Sequence, residues 1–287
     1  MSSNHALPAD VPPGQARLTL PPAARRPLNR CNLPAEALAS FAFQLAPQPL
    51  ELDGVLPLHR ALFVGLDRED DPAARAEFFR LYMNAHFLLN DPPGLGLTPS
   101  IRIDRSRASY LKLLQGWLFD AGSREGAVLK AWVESRFGLV TRYHHGKLGH
   151  CERDGEQARE AFERSAADGL YNACVLEAQL DIFYAWSQYE LARRYPGATH
   201  FLLYRGLSAC ALPVIDRLAD GRPLVELNNL NSFSSELERA DEFGNVVVSC
   251  MVPAPKIFAF PGLLPVLLRG EGEYLVIGGV VAVRREI

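Results

Sequence analysis

The chain has 287 residues, is 48% hydrophobic and 22% charged, and carries a formal net charge of -3. This is an ordinary globular balance; it excludes a polybasic nucleic-acid binder and gives no reason to expect broad affinity for acidic membranes. The cysteines (Cys31, Cys151, Cys174, Cys210, Cys250) are scattered and odd in number, with no Cys-x-x-Cys pair, so neither a disulfide framework nor a zinc site is indicated and reduced thiols fit better.

Residues 1 to about 28 are rich in proline and alanine, a composition expected to form a flexible tail. A wrapped coil with a short helix near Pro34–Phe43 follows. The spacing of Phe79, Met83 and Phe87 predicts a helix from Pro72 to Asn90, with Pro72 in its first turn. Tyr110, Leu113, Leu114, Trp117 and Leu118 form the stripe of a second helix over 106–120. Gly126 to Phe137 reads as a third, stopped by Gly138. His144, His145, His150 and Cys151 lie close together, but their spacing matches no zinc pattern and the stretch reads as a solvated loop, so no metal is expected. Asn172 to Tyr195 is the longest helical pattern, with Leu176, Leu180, Phe183, Ser187 and Leu191 on its buried side.

After Pro196 the text turns strand-like. Strands are expected over 199–206, 224–234, 246–252, 256–260, 273–277 and 280–285. Ser235-Glu236-Leu237-Glu238 reads as a capping box opening a short helix that ends at Gly244. The longest apolar run, Tyr274 to Val283, contains two glycines and is too short to cross a bilayer. The N-terminus shows no secretory pattern, and a cytoplasmic location is expected. Helices first and strands last predict an α+β fold with a mainly antiparallel sheet.

Three pieces of the strand-rich third carry chemistry. Arg205 ends an apolar strand; its fork suits a phosphate, or an interstrand salt bridge. Gly206 lets a ligand approach the backbone. The Asn228–Ser235 stretch, with Asn229, Ser232 and Ser234, is dense in small groups suited to ribose hydroxyls or an amide, or to a polar turn. Glu271 and Glu273 would share one face of a strand, roughly 7 Å apart at Cα, where like charges suit a solvated end or a bound cation. No Gly-x-Gly-x-x-Gly follows a strand and opens a helix, so dehydrogenase-like use of a dinucleotide is not expected.

A strand arginine, a serine motif and Glu-x-Glu, in that order, resemble the arginine–serine–glutamate class of ADP-ribosyltransferases. Ser232-Phe233-Ser234 stands where that class has Ser-Thr-Ser. Further stretches (Asn29–Pro34, Gly116–Asp120, Gly126–Lys130, Trp132–Gly138, Leu227–Phe233 and Phe260–Leu264) resemble the dinitrogenase reductase ADP-ribosyltransferases over about 29–287. The resemblance implies a helical N-terminal region packed on an ADP-ribosyltransferase-type β-sandwich. The division expected is 1–28 tail, 29–170 helical region and 171–287 catalytic core, or one compact domain over 29–287.

It also implies NAD as substrate and transfer of ADP-ribose to an arginine of the nitrogenase iron protein, with a PII signalling protein as regulator. Glu273 would stabilise the cationic transition state and Ser232 would orient it. Arg205 would hold the NAD phosphates, the Gly206 backbone would meet the nicotinamide amide, and Asn229 and Ser234 would sit by the ribose. Phe243 would stack on nicotinamide or pack in the core. Glu271 would select arginine as acceptor. The apolar stretch Phe260–Gly270 would help recognise the protein target, or pack inward. The rival readings are an NAD glycohydrolase, a transferase with another target, and a non-catalytic NAD-binding regulator.

Overall fold

The computed structural model describes residues 7, 11–89, 108–149, 153–170, 175–208, 212–264 and 272–286. The chain divides into two units that interleave in sequence: Met1–Asp53, Val133–Arg142 and Ser187–Ile287 form one, Gly54–Trp132 and Tyr143–Trp186 the other. The helices described are α1 (Pro13–Ala16), α2 (Ala35–Leu38), α3 (Phe41–Leu45), α4 (Val55–Leu58), α5 (Arg60–Leu66), α6 (Pro72–Phe87), α7 (Tyr110–Phe119), α8 (Arg124–Phe137), α9 (Arg153–Gly169), α10 (Val175–Arg194) and α11 (Leu237–Asp241). The strands are β1 (His200–Leu207), β2 (Val214–Arg217), β3 (Pro223–Glu226), β4 (Leu230–Ser234), β5 (Val246–Pro253), β6 (Ile257–Ala259), β7 (Glu273–Ile277) and β8 (Val280–Arg285). Helices first and strands last make an α+β protein. Among the described residues no helix is long and apolar enough to cross a membrane.

The second unit is helical. Asp71 caps α6 by accepting from Ala73 and Ala74 backbone N–H groups, and Ser109 caps α7 in the same way at Leu111. The expected stripes face inward: Phe79 stacks on Trp186 at 3.9 Å, with Tyr110 and Phe183 edge-on or tilted around them. Gln179, fully buried, accepts from the Tyr110 N–H and donates to the Ala108 carbonyl, fixing the start of α7. Helix α9 was not expected from the sequence; it buries Arg159, Phe162 and Ala166, a period that its many charged residues mask.

Among the described residues the first unit holds one eight-stranded sheet in the order β2-β3-β8-β5-β1-β4-β7-β6, antiparallel throughout. Valine-rich β5 and β8 lie inside the order, where β-branched side chains pack on a pleated surface. Gln44 of α3 donates to the Met251 carbonyl and accepts from the Ala282 N–H, so a buried side chain joins β5 and β8. β1 and β4 meet at one residue pair, Tyr204 with Ser234. The ladder is therefore continuous from β2 to β1 and from β4 to β6, with a junction one pair wide between.

Three expectations change. The Pro/Ala-rich stretch is not free from Val11 onward: Leu20 and Ala24 are 1% and 3% exposed, and Arg26 N–H donates to the Gly138 carbonyl. Prolines that fix φ can still anchor a strap by backbone bonds and single buried side chains. The stretch 224–234 is two strands, split by the Leu227–Asn229 turn, and β2 precedes them. The capping box does not form: α11 begins after Glu236 without a side-chain cap, and Ser234 Oγ accepts from the Glu236 N–H instead. Ser235 is engaged otherwise, its N–H donating to the Gly272 carbonyl.

Candidate functional site

The site forms where β1 and β4 part. β4 and β7 are fully paired there: Ser232 faces Leu275, Phe233 faces Tyr274, and Ser234 faces Glu273. Opposed residues in an antiparallel pair share a face, so Ser234 is the serine directly across from Glu273. Ser232 lies on the same face two residues further along. Tyr204 of β1 stands opposite Ser234, which completes a row Tyr204–Ser234–Glu273 across three strands.

Arg205 is brought to the same junction. Its guanidinium donates to the Ser232 carbonyl and lies 5.8 Å from the centre of the Phe233 ring. Phe233, the residue that departs from Ser-Thr-Ser, is thus the aromatic face beneath the arginine. Burial lowers the Arg205 pKa to about 10, and the Glu273 carboxylate works against that lowering. At neutral pH the junction therefore holds a cation and, within its electrostatic reach, a carboxylate. The cation, pre-organised by a backbone carbonyl and an aromatic face, can grip a phosphate, and the half-buried acid within its electrostatic reach can face a developing positive charge.

The other expected residues fall as follows. Gly206 is glycine because of α11: an added Cβ would lie 1.9 Å from the Ala240 carbonyl oxygen. Phe243 follows that helix and is 74% exposed, so it is not core. Asn229 is 1% exposed, and its Nδ2 donates to the Leu139 carbonyl and Thr141 Oγ1. A ribose cannot reach an amide buried and engaged in that way; Asn229 ties the 139–141 stretch to the start of β4. Glu271 lies outside the described residues. Gly272 has φ +58, so the strand alternation invoked for Glu271 and Glu273 starts only at Glu273. Of the apolar stretch 260–270, Phe260, Leu263 and Leu264 are buried, which favours inward packing for that part. Tyr204 carried no expectation from the sequence, and Phe233 entered only as the residue that departs from Ser-Thr-Ser.

Among the described residues no cluster of His, Cys, Asp and Glu could hold a metal. His144 is buried with its Nδ1 3.3 Å from Lys130 Nζ; burial and the lysine charge lower its pKa to about 4. His150 and Cys151 lie outside the described residues.

The profile of the dinitrogenase reductase ADP-ribosyltransferase (DRAT) family matches residues 28–285. The chain is 38% identical over 260 residues to the NAD(+)--dinitrogen-reductase ADP-D-ribosyltransferase of Rhodospirillum rubrum, covering 88% of this chain and 91% of that one. No solved structure matches the chain. The strand arginine, the paired serine motif and the carboxylate thus stand in a chain that belongs to the dinitrogenase reductase ADP-ribosyltransferase family.

Proposed function

We propose that this protein transfers ADP-ribose from NAD to an arginine of dinitrogenase reductase, the nitrogenase iron protein. The observation that carries the reading is the convergence of Arg205, Ser234 and Glu273 on one junction in a member of this family. Arg205 holds the NAD pyrophosphate. The bond between ribose C1′ and the nicotinamide nitrogen breaks, and its electron pair leaves with neutral nicotinamide. The remaining oxocarbenium-like sugar is cationic, and Glu273 stabilises it and holds the ribose 2′-hydroxyl. An acceptor guanidinium nitrogen attacks C1′ and its proton passes to a carboxylate, the role assigned to Glu271.

The register favours Ser234 over Ser232 as the hydroxyl beside Glu273, with Ser232 presenting its carbonyl to Arg205. Phe243, 74% exposed in the turn after α11, offers a ring for nicotinamide, and its neighbour Gly244 has its backbone N near the Gly206 Cβ direction. The Gly206 backbone meets the nicotinamide amide. A PII signalling protein is the regulator proposed, on the family resemblance of the sequence. Buried free thiols at Cys31 and Cys250 fit work in the reducing cytoplasm.

The test is incubation of the full chain with purified dinitrogenase reductase and NAD labelled in its adenylate part, followed by mass spectrometry of the iron protein. ADP-ribose on an arginine is expected, and Glu273→Gln should slow labelling at least roughly 10²-fold by removing a charge contact made in the transition state. Nicotinamide release with an unlabelled protein would make the chain a glycohydrolase. No nicotinamide release at all would make it a binding protein.

A further inference from the structure

The acid of the site sits at the very end of its strand. Ser234 is the last residue of β4 and Glu273 the first of β7, so their pairing is the outermost rung of that ladder. Terminal rungs open at little cost in free energy. A carboxylate aimed at a developing charge loses much of its effect if its backbone is free to fray by an ångström.

One further bond closes this end. The Ser235 N–H donates to the Gly272 carbonyl at 3.1 Å, joining the two residues that come next in register after Ser234 and Glu273. Gly272 makes that bond in the left-handed region, at φ +58, and not as strand. A Cβ on Gly272 would lie 2.9 Å from Ser235 Oγ and 3.4 Å from Ser234 Oγ, so its backbone turns directly against both serines. On the other side Ser234 Oγ accepts from the Glu236 N–H at 3.0 Å, which turns the chain towards α11. Both strands thus leave the ladder at one level, tied there by the Ser235–Gly272 bond, with Glu273 immediately inside the tie.

We infer that Gly272 is a positioning residue for Glu273: its left-handed backbone carries the bond that holds the catalytic carboxylate in place. This rests on the transferase reading above. The role belongs to the backbone conformation. A residue with a Cβ is strained at φ +58, and alanine is strained more than asparagine, whose short polar side chain tolerates the left-handed region. Arg205 stands on β1 and takes no part in the tie, so the grip on NAD should survive when the tie is strained.

The experiment compares the wild-type chain with Gly272→Ala, Gly272→Asn and a control, Gly221→Ala. Gly221 has φ +84 in the turn between β2 and β3, with no described atom within 4 Å of an added Cβ, so its alanine brings the same backbone strain far along the sheet order from the site. Nicotinamide release is followed with dinitrogenase reductase present, at varied NAD and below each variant's thermal midpoint. In Gly272→Ala kcat should fall by roughly 10²-fold, the scale of a reacting group misplaced by about 1 Å, with KM for NAD nearly unchanged. Gly272→Asn should recover much of the rate, and Gly221→Ala should keep the wild-type kcat. A wild-type kcat in Gly272→Ala overturns the inference, as does an equal loss in Gly221→Ala or in Gly272→Asn. Failure of Gly272→Ala to fold beside a folded Gly221→Ala marks the tie as structural and overturns it too. Absence of nicotinamide release by the wild-type chain sinks the transferase reading itself, which separates the two failures.

Discussion

Lys256 is a lysine with almost no access to water. It is 1% exposed, its Nζ donates to the Gly278 carbonyl at 2.8 Å, and it lies 5.4 Å from the Phe43 ring centre. Burial lowers its pKa from 10.5 to about 7, with Cys250 as a partial offset. The unfolded chain then binds more protons than the folded one between about 7 and 10.5, so stability rises with pH through that window. Cys250 acts in the opposite sense, because burial raises its pKa from 9.0 to about 12 and stability falls above 9.0 on its account. The interval from about 7 to 9 therefore reports Lys256. Denaturant unfolding across that interval should show a rise in the wild-type chain and a flatter profile in Lys256→Met; parallel profiles would refute the assignment.

At the scale of elements, the position of α11 against β1 decides the shape of the junction. Gly206→Ala would push a Cβ to 1.9 Å from the Ala240 carbonyl, so the helix must move. A loss of about 1–3 kcal/mol in unfolding free energy is expected from such overpacking, with reduced NAD cleavage because Arg205 is the adjacent residue. Unaltered stability and cleavage would show that α11 gives way freely. Elements with one strong period were legible in the sequence: the Phe79, Met83 and Phe87 stripe and the valine-rich β5 both read correctly. The split of 224–234 was not, because apolar residues run through both halves and only the turn at 227–229 separates them. The register that puts Ser234 across from Glu273 and Ser232 across from Leu275 was also hidden. Both fall on one face, and pairing register is set by partner and turn geometry that composition does not carry. Asn229 misled for a related reason: an amide suited to a ribose is equally suited to two buried acceptors. The capping box is replaced by other bonds: the Ser235 N–H donates to the Gly272 carbonyl just before β7, and Ser234 Oγ accepts from the Glu236 N–H.

At the scale of the molecule, the strap before α2 belongs to the sheet-bearing unit. Leu18 accepts from the Phe41 N–H, Leu20 is buried, and Gln15 donates to Asp216 and the Arg217 carbonyl on β2. Leu20→Ala should lower unfolding free energy by about 2–5 kcal/mol, the usual cost of emptying a buried leucine site. A thermal midpoint indistinguishable from wild type would return this stretch to the status of a loose appendage.

The interleaving of the sheet-bearing unit also fixes when the enzyme can become whole. Ala39 accepts from the Val280 N–H, and Gln44 accepts from the Ala282 N–H, a partner 238 residues further along. Such distant pairings form late and slowly, so α3 finds its place on the sheet only once β8 is available to receive it.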